Sequence, residues 1–325
     1  MRMSKMKIVL ISLASVFIIV IVALGFVGNH FYNISINPKT ERPFFDNNPD
    51  LDRAVPAMHV DEQEQQESGT AKIWIEEAPH DKVTLTSFDG LKLQGYEYRQ
   101  EHSTHKWAIV VHGYMGFGKE MAQVVKKFYD RGYQVLLVDL RGHGESEGDY
   151  IGMGWHDRLD MVGWIKRIVG NDPESQIALY GVSMGGATVM MTSGEELPAN
   201  VKVIVEDCGY TSAYDEFTYQ LKRLFHLPSF PIMTASNMVV NFRAGYDLKE
   251  ASALNQVAKS KTPILFIHGD ADTFVPYEMV HELYAAAKVE KDLLVIKDAG
   301  HGGAHLAGAT YWNKVWEFTD KFMKS

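Results

Sequence analysis

The sequence is poor in cysteine, with Cys208 as the one cysteine among 325 residues. A single cysteine excludes an intramolecular disulfide and any metal or iron–sulfur site built from several thiolates. Basic residues are too few to balance the acidic ones, so the formal net charge is −9. That charge gives no general electrostatic basis for binding nucleic acid, and we expect no nucleic-acid partner. Proline and glycine are not enriched, with 11 and 27 residues, which excludes a collagen-like or low-complexity chain.

Charge is absent from one long stretch near the N-terminus. Residues 8–27 are apolar apart from two serines, and twenty helical residues span about 30 Å, the thickness of the hydrocarbon core of a bilayer. Three basic residues precede this stretch: Arg2, Lys5 and Lys7. Because basic flanks stay on the cytoplasmic side, residues 1–28 predict a single-pass anchor with a cytoplasmic N-terminus and an extracytoplasmic domain at the cell membrane. The alternative is secretion after signal cleavage near residues 23–25, although the apolar stretch is long for a signal peptide.

Residues 29–80 predict a connector between the anchor and a folded domain at 81–325. The connector contains a turn signal at 47–50 and a polar, acidic run at 61–67. Such a run is typical of a solvated helix face.

From about residue 82 the hydrophobic pattern alternates between strands and helices. Asp89 and Gly90 separate two alternating segments and predict a β-hairpin. Short apolar runs then predict buried parallel strands at 107–111, 134–138, 177–180, 201–205, 264–267 and 293–296. Helical patterns lie among and after them, at 120–129, 157–168, 281–288 and 311–322. The alternation predicts an α/β domain with a mostly parallel sheet, in which chemistry takes place beyond the carboxyl ends of the strands.

Two strand ends carry the features of a nucleophile and its oxyanion hole. Residues 181–185, Gly-Val-Ser-Met-Gly, follow a predicted strand and precede an apolar helix. A serine on such a nucleophile elbow stands at a helix N-terminus, where unpaired N–H groups stabilise a developing oxyanion. We therefore expect Ser183 to be the nucleophile and the Met184 N–H to donate to the oxyanion. The turn after strand 107–111 offers the Tyr114 N–H as the second donor.

Two further strand ends offer an acid and a base. The loop at 268–276 contains Asp270 and Asp272, and a serine triad needs one carboxylate to orient its histidine. The aspartate that does not belong to the triad would be a turn or capping residue. His301, flanked by glycines after the strand at 293–296, is the expected base. The order Ser183, Asp272, His301 differs from that of chymotrypsin and of subtilisin.

Other residues compete for these roles. Asp207 follows a different predicted strand and is the alternative acid. His112 and His305 are alternative bases, for which structural roles at a turn and at a helix start are the favoured interpretation. Cys208 is interpreted as a small, semi-buried residue rather than a nucleophilic thiol.

Residues 82–323 resemble the α/β-hydrolase superfamily. The matching motifs are His112-Gly113, residues 139–146, residues 181–185, the loop at 268–276 and Gly300-His301. With the N-terminal anchor, the chain is similar to bacterial membrane-anchored hydrolases of the esterase and serine-aminopeptidase-like branch. The resemblance implies an α/β-hydrolase fold, a triad of Ser183, Asp272 and His301, and a site wall shaped by 141–146. It does not fix a substrate, since this fold hosts many activities.

The segment between Cys208 and Pro263 is long for a simple link between two strands. Phe217, Leu221, Leu224 and Phe225 recur at i, i+4, i+7 and i+8, which predicts an amphipathic helix. We expect a small helical cap at about 209–258. An apolar cap over the site would suit an aliphatic or aromatic group of the substrate. The alternative is that the cap packs on the core without touching a ligand.

These observations predict a carboxylesterase of class EC 3.1.1 acting on a small-molecule ester with an apolar group. Ser183 would form an acyl-enzyme, which water then resolves. We expect no metal and no organic cofactor, and the sequence has no phosphate-binding P-loop motif. A serine peptidase or an acyltransferase with the same triad is the alternative function. A non-catalytic surface protein on the same fold is a remote one.

Overall fold

The computed structural model describes residues 5–42, 62–102 and 104–324. Arg2, Asp61 and the turn predicted at 47–50 lie outside these residues. Strands in the described part are β1 Asp81–Thr86, β2 Lys92–Tyr98, β3 Lys106–Val111, β4 Gln134–Val138, β5 Gln176–Val182, β6 Val201–Asp207, β7 Ile264–Gly269 and β8 Lys291–Ile296. The α-helices are α1 Lys5–Ser35, α2 Glu62–Glu77, α3 Ala122–Asp130, α4 Asp157–Asn171, α5 Met184–Ser193, α6 Ala213–Phe225, α7 Ile232–Ala244, α8 Ala253–Val257, α9 Glu278–Ala286 and α10 Ala309–Phe322.

The eight strands form one sheet in the order β1-β2-β4-β3-β5-β6-β7-β8. The predicted hairpin is present, because β1 and β2 pair antiparallel across Asp89 and Gly90, and Gly90 has a φ of +92°. From β4 to β8 all pairings are parallel. The predicted α/β fold with a mostly parallel sheet is therefore confirmed. The central strands are buried on both faces, which explains why they were continuous apolar runs in the sequence.

The acidic run at 61–67 is not simply a solvated helix face. Glu64 on α2 is buried and accepts hydrogen bonds from Gln123 at 2.7 Å and Lys127 at 2.6 Å. Ala71 and Ile75, on later turns of the same helix, are also buried. The interpretation as a solvated face is wrong at Glu64, because the Lys127 ammonium offsets the cost of burying a carboxylate.

The N-terminal helix continues beyond the apolar stretch. The described large apolar side chains between Val9 and Phe26 are mostly exposed, and α1 is long and apolar enough to cross a membrane. Beyond Gly28 the same helix packs onto the domain, and Tyr32 and Ile36 are buried. Residues 29–42, at the start of the predicted connector, thus lie on the folded domain.

Helices α6, α7 and α8 occupy the segment between β6 and β7, where the helical cap was expected. Ser212 caps α6 by accepting a hydrogen bond from the Asp215 N–H at 3.0 Å. His226 ends α6 in the left-handed conformation, and Gly245 ends α7 in the same way.

Candidate active site

Ser183 stands on the sharp turn between β5 and α5. Its φ of +57° is a strained backbone conformation for a residue with a side chain. The turn requires glycine on both sides, because a Cβ at Gly181 would collide with the Gly185 carbonyl group. A Cβ at Gly185 would collide with the carbonyl oxygens of Val111 and His112. The elbow therefore presses α5 against the ends of β3 and β5, with Ser183 at its tip.

The structure brings together the three residues expected to form a triad. The Nε2 atom of His301 lies 2.8 Å from the Ser183 hydroxyl oxygen. The Nδ1 atom of His301 lies 2.8 Å from Oδ2 of Asp272. The other oxygen of Asp272 accepts hydrogen bonds from the N–H groups of Phe274 at 2.8 Å and Val275 at 3.0 Å. These bonds fix the carboxylate, which in turn fixes the imidazole ring.

The electrostatics of the triad favour an ionised Asp272 and stabilise the imidazolium that His301 becomes when it accepts a proton. Burial disfavours the charged form of Asp272, but His301 and His268 interact with its carboxylate and hold its pKa well below the ordinary value. Burial also disfavours the imidazolium form of His301, yet the charge of Asp272 and its hydrogen bond outweigh this effect and raise the pKa of His301. Because the Asp272 carboxylate accepts from Nδ1, the Nε2 lone pair faces the Ser183 hydroxyl.

The other two candidate acids have different partners. Asp207 is buried and accepts a hydrogen bond from the Tyr311 hydroxyl at 2.8 Å, and burial raises its pKa to about 6. Asp270 is exposed and accepts from the Asp298 N–H at 2.6 Å, close to the start of the His301 loop. Of these three carboxylates, Asp272 is the one whose described hydrogen bonds include His301.

The two alternative bases, His112 and His305, both form hydrogen bonds with backbone groups of turns. Nε2 of His112 accepts from the Leu140 N–H at 3.0 Å, its Nδ1 lies 2.7 Å from the Gly113 carbonyl oxygen, and burial lowers its pKa to about 4. Nδ1 of His305 lies 3.0 Å from the Gly302 carbonyl oxygen, and burial likewise lowers its pKa to about 4. Both histidines are therefore held as neutral structural groups.

Cys208 lies beside the triad. Its sulfur and ligand atoms of Asp272 and His301 all lie within 4.8 Å of one another, a spacing that a metal ion could bridge. Burial raises the pKa of the Cys208 thiol, which opposes the thiolate that a metal would need. The two ring nitrogens of His301 are also already engaged, so we assign no metal here.

The turn after β3 lies against the nucleophile, where the oxyanion donors were expected. A Cβ at Gly113 would lie 3.4 Å from the Ser183 Cβ, which places the neighbouring Tyr114 backbone beside Ser183. Met184 begins α5, so its N–H has no carbonyl partner within the helix. The oxyanion role of these two N–H groups stays a prediction.

Residues 141–146 are not among the residues that line the cavity at Ser183: His143 contacts the turn after β3, and Arg141 contacts other parts of the domain. Buried Arg141 makes two hydrogen bonds of 2.8 Å to Asp160 and also pairs with Asp89. Nε2 of His143 accepts from the Met115 N–H at 3.2 Å. The resemblance implied that residues 141–146 shape the wall of the site. Their contacts instead place them behind the residues that line the cavity.

A cavity of about 870 Å³, partly open to solvent, leads away from Ser183. Its walls are mostly apolar and include the predicted apolar face of α6, with Phe217, Leu221 and Leu224. The cap therefore contacts the cavity rather than only the core.

Sequence reasoning missed two residues of the site. His268 is buried with Nε2 3.3 Å from the Asp272 carboxylate, so this acid is held between two imidazoles. Glu216 on α6 is buried in the cavity wall, where Oε1 accepts from Gln220 at 2.7 Å and Oε2 has no partner among the described residues. Burial raises the pKa of Glu216 to about 8. A sequence signal existed, because Glu216 is next to Phe217 at the edge of the apolar stripe.

Comparisons with known proteins agree with this fold. Residues 102–210 match the family model described as serine aminopeptidase S33. The chain is 26% identical over 245 residues to the uncharacterized protein YqkD of Bacillus subtilis, covering 74% of this chain and 79% of YqkD. It is 27% identical over 198 residues to the lysophosphatidylserine lipase ABHD12 of Danio rerio, covering 59% of this chain and 50% of that protein. The structure of the esterase Pf2001 of Pyrococcus furiosus superposes with a TM-score of 0.63 at 26% identity, covering 78% of this chain and 94% of the esterase.

The order of the sheet, the elbow at Ser183 and these similarities define one class of protein. The chain has the α/β-hydrolase fold, and the proteins to which it is similar support its place in the α/β-hydrolase superfamily. Its relatives and structural neighbours include proteins named as an esterase, a lipase and peptidases.

Proposed function

We propose that the protein is a serine hydrolase that cleaves carboxylic esters with an apolar acyl group. The observation that carries the proposal is the unbroken chain of contacts from Asp272 through His301 to Ser183, with both links at 2.8 Å. A nucleophile, a base and an orienting acid in that geometry are the parts of an acyl-transfer site.

In the proposed mechanism, the Ser183 oxygen attacks the ester carbonyl carbon while His301 accepts the hydroxyl proton. The N–H groups of Tyr114 and Met184 stabilise the negative charge on the carbonyl oxygen. The C–O bond to the alcohol then breaks, and the His301 imidazolium donates its proton to the departing alcohol. A water molecule attacks the acyl-enzyme in the same way, releasing the carboxylic acid and restoring Ser183. Asp272 orients His301 and stabilises the imidazolium throughout.

A serine aminopeptidase is the second candidate, favoured by the family model matched over 102–210. An aminopeptidase needs a carboxylate that binds the substrate ammonium group. Glu216 is a buried carboxyl of the cavity, and burial, which raises its pKa to about 8, favours the neutral form that binds an ammonium group poorly. Esters are therefore the better-supported substrates. The esterase and lipase names among the similar proteins support the same choice.

We also propose that α1 anchors the protein in the cell membrane, with the N-terminus in the cytoplasm and the domain on the extracytoplasmic side. The length and apolarity of α1 support the anchor. Lys5 and Lys7, on its N-terminal turn, support the orientation.

The test uses the full chain, purified in a mild detergent. A fluorophosphonate probe should label Ser183, and the protein should hydrolyse p-nitrophenyl butyrate without added metal. Ser183→Ala should abolish labelling and hydrolysis together. Ser193→Ala, on the same helix but bonded to the Met190 carbonyl oxygen, is the matched control and should retain both. Equal labelling of Ser183→Ala and the parent protein would refute the proposal.

A further inference from the structure

The C-terminal half of the α1 helix is firmly docked on the cap helix α7. A Cβ at Gly28 would lie 2.7 Å from the Ala235 carbonyl oxygen, so the two helix backbones are in direct contact. The guanidinium carbon of Arg243 lies 4.0 Å from the centre of the Tyr32 ring, and Arg243 donates a hydrogen bond to Asn29 at 2.7 Å. Close packing at a glycine and a cation–π contact fix where α1 sits on the cap.

The end of α1 is also bonded to the turn beside the nucleophile. The Ser35 carbonyl oxygen accepts from the Tyr114 hydroxyl at 2.7 Å, and the Ile36 carbonyl oxygen accepts from the Ile151 N–H at 2.8 Å. Buried Arg42 donates to the Ile34 carbonyl oxygen at 2.6 Å. The carbonyl groups that a helix C-terminus leaves unpaired are thus satisfied by the domain. Tyr114 connects the helix end directly to the proposed oxyanion turn.

The same helix end lines the cavity that leads from Ser183. Phe31, Ile34 and Ser35 of α1 line it together with side chains of α6 and α7. Phe31 also packs edge-on against Phe225, with ring centres 5.3 Å apart. At 1.5 Å per residue, Phe31 lies only about 6 Å along the helix from residue 27, where the apolar stretch ends. The cavity wall therefore begins about one helical turn beyond the membrane-spanning stretch.

Exposed apolar side chains flank this junction. Ala235, Met238 and Phe242 recur at i, i+3 and i+7 and so share one face of α7, and Ala235 is the residue that contacts Gly28. Met238 is 69% exposed and Phe242 is 90% exposed. Phe230, directly before α7, is 76% exposed. Large apolar groups beside a membrane helix are typical of a surface that contacts lipid.

We propose that α1 is both the membrane anchor and a wall of the substrate pocket. The pocket takes the acyl chain of an amphiphilic ester that resides in the same membrane, and the exposed face of α7 contacts that membrane. The proposal rests on the ester hydrolase function proposed above and adds the substrate class. An acyl chain that moves directly from the bilayer to the pocket avoids the unfavourable exposure of its methylene groups to water.

Two glycines of α1 give a matched pair of variants for the test. Gly28→Leu forces α1 away from Ala235, whereas a Cβ at Gly25 meets nothing within 4 Å. The full chain is reconstituted in phosphatidylcholine vesicles and assayed with p-nitrophenyl laurate and p-nitrophenyl butyrate. Gly28→Leu should lower the laurate-to-butyrate ratio of kcat/KM by about tenfold, the equivalent of about two lost methylene contacts. Gly25→Leu should leave the ratio within about twofold of the parent, well below that loss. An unchanged ratio in Gly28→Leu would overturn the proposal.

A second variant fills the pocket without separating the helices. Ile34→Trp places a larger side chain in the wall and should shift the preferred acyl chain toward shorter lengths. His30→Trp, at an exposed position of the same helix, is its control and should keep the parent preference. An Ile34→Trp enzyme with the parent chain-length profile would count against α1 as a pocket wall.

A binding measurement separates this proposal from the proposed activity. The fluorescent fatty acid cis-parinaric acid is titrated onto Ser183→Ala and onto Ser183→Ala carrying Gly28→Leu. A Kd about tenfold weaker in the double variant supports the pocket wall even if no ester is cleaved. Equal Kd values reject the wall, whatever the esterase assay shows. Ester hydrolysis that persists in Ser183→Ala would instead reject the proposed function.

Discussion

Asp272 owes its position to contacts on both sides of its carboxylate. One oxygen accepts two backbone N–H groups of its own loop, and the other faces His301 at 2.8 Å and His268 at 3.3 Å. Asp207 is bonded instead to Tyr311, and Asp270 to the backbone of Asp298. Changing each acid to its amide therefore removes a different interaction.

Asp272→Asn should lower kcat by about 10²–10⁴ while the fold persists, because an amide cannot hold His301 in the required tautomer. Asp207→Asn and Asp270→Asn should act mainly by lowering the thermal midpoint. The measurement is kcat and thermal midpoint for the three variants. A folded but inactive Asp207→Asn or Asp270→Asn enzyme, beside an active Asp272→Asn enzyme, would show that another carboxylate is the triad acid.

The raised pKa of His301 predicts the acidic limb of the pH profile. General base catalysis needs neutral His301, so activity falls by about tenfold per pH unit below its pKa. The limb should lie above pH 6.5, the ordinary histidine value, because Asp272 favours the imidazolium form. Removing that negative charge in Asp272→Asn should move the limb to lower pH. Profiles of kcat/KM against pH for both proteins test this, and a limb that does not move would contradict the assigned pair.

The raised pKa of Glu216 predicts that the free energy of unfolding depends on pH. Its pKa of about 8 in the folded chain lies above its ordinary value of 4.5, so between these pH values the folded state retains a proton that the unfolded state has lost. The free energy of unfolding therefore decreases as pH rises through this range. Glu216→Gln, which resembles the neutral acid, removes the dependence. The thermal midpoint of the variant, relative to the parent, should be higher at pH 8 than at pH 5. A constant difference would contradict burial of a neutral Glu216.

Ser183 and His301 could be predicted because each follows a strand end in a short motif of restricted residues, whereas the choice of Asp272 over Asp270 came from the family resemblance. Glu216 and His268 could not be predicted in the same way. Their burial depends on tertiary packing, and a glutamate in an amphipathic helix is ordinarily solvated.

At the scale of elements, the elbow depends on close backbone contact between α5 and β3. Gly185→Ala should destabilise the protein by about 1–3 kcal/mol or more, because the new methyl group meets the carbonyl oxygens of Val111 and His112. Gly170→Ala, at an exposed position of α4 with nothing within 4 Å of the added Cβ, is the matched control. It should raise stability by up to about 1 kcal/mol. Denaturant unfolding of both variants gives the values, and equal effects would contradict the contact.

The elements themselves were largely predictable, since buried strands and amphipathic helices leave clear periodic patterns. Two exceptions have a physical reason. The buried Glu64 on α2 depends on Lys127, which is distant in the sequence. At the docked end of α1, Tyr32 and Ile36 lie four residues apart, which is the spacing of one helix face. Two apolar residues alone do not indicate which helix that face contacts.

At the scale of the whole molecule, the sheet order could not be predicted. Alternation of strands and helices fixes the class of fold, while the crossing that places β4 outside β3 depends on long-range packing. The division into residues 1–28, 29–80 and 81–325 stays a prediction.

The orientation of the domain is testable in intact cells or spheroplasts. A protease added outside should digest the domain, while the membrane fraction retains the N-terminal segment, because basic residues such as Lys5 and Lys7 are expected to stay on the cytoplasmic side. Lysed cells give the control for full digestion. Protection of the domain until lysis would refute the orientation, and a mature chain starting near residue 26 would favour the secreted form.

The contact between Gly28 and Ala235 fixes the domain directly on α1, so the domain is not attached to this helix through a flexible linker. A long flexible linker would let a catalytic domain search a volume of solution above the bilayer. With α1 as the proposed anchor, the site would be held at a fixed height above the bilayer and would meet a membrane-resident ester by diffusion in the plane of the membrane. The velocity should therefore follow the number of ester molecules per unit area of membrane. Adding inert lipid at constant total ester should slow the enzyme, although the concentration in the test tube has not changed.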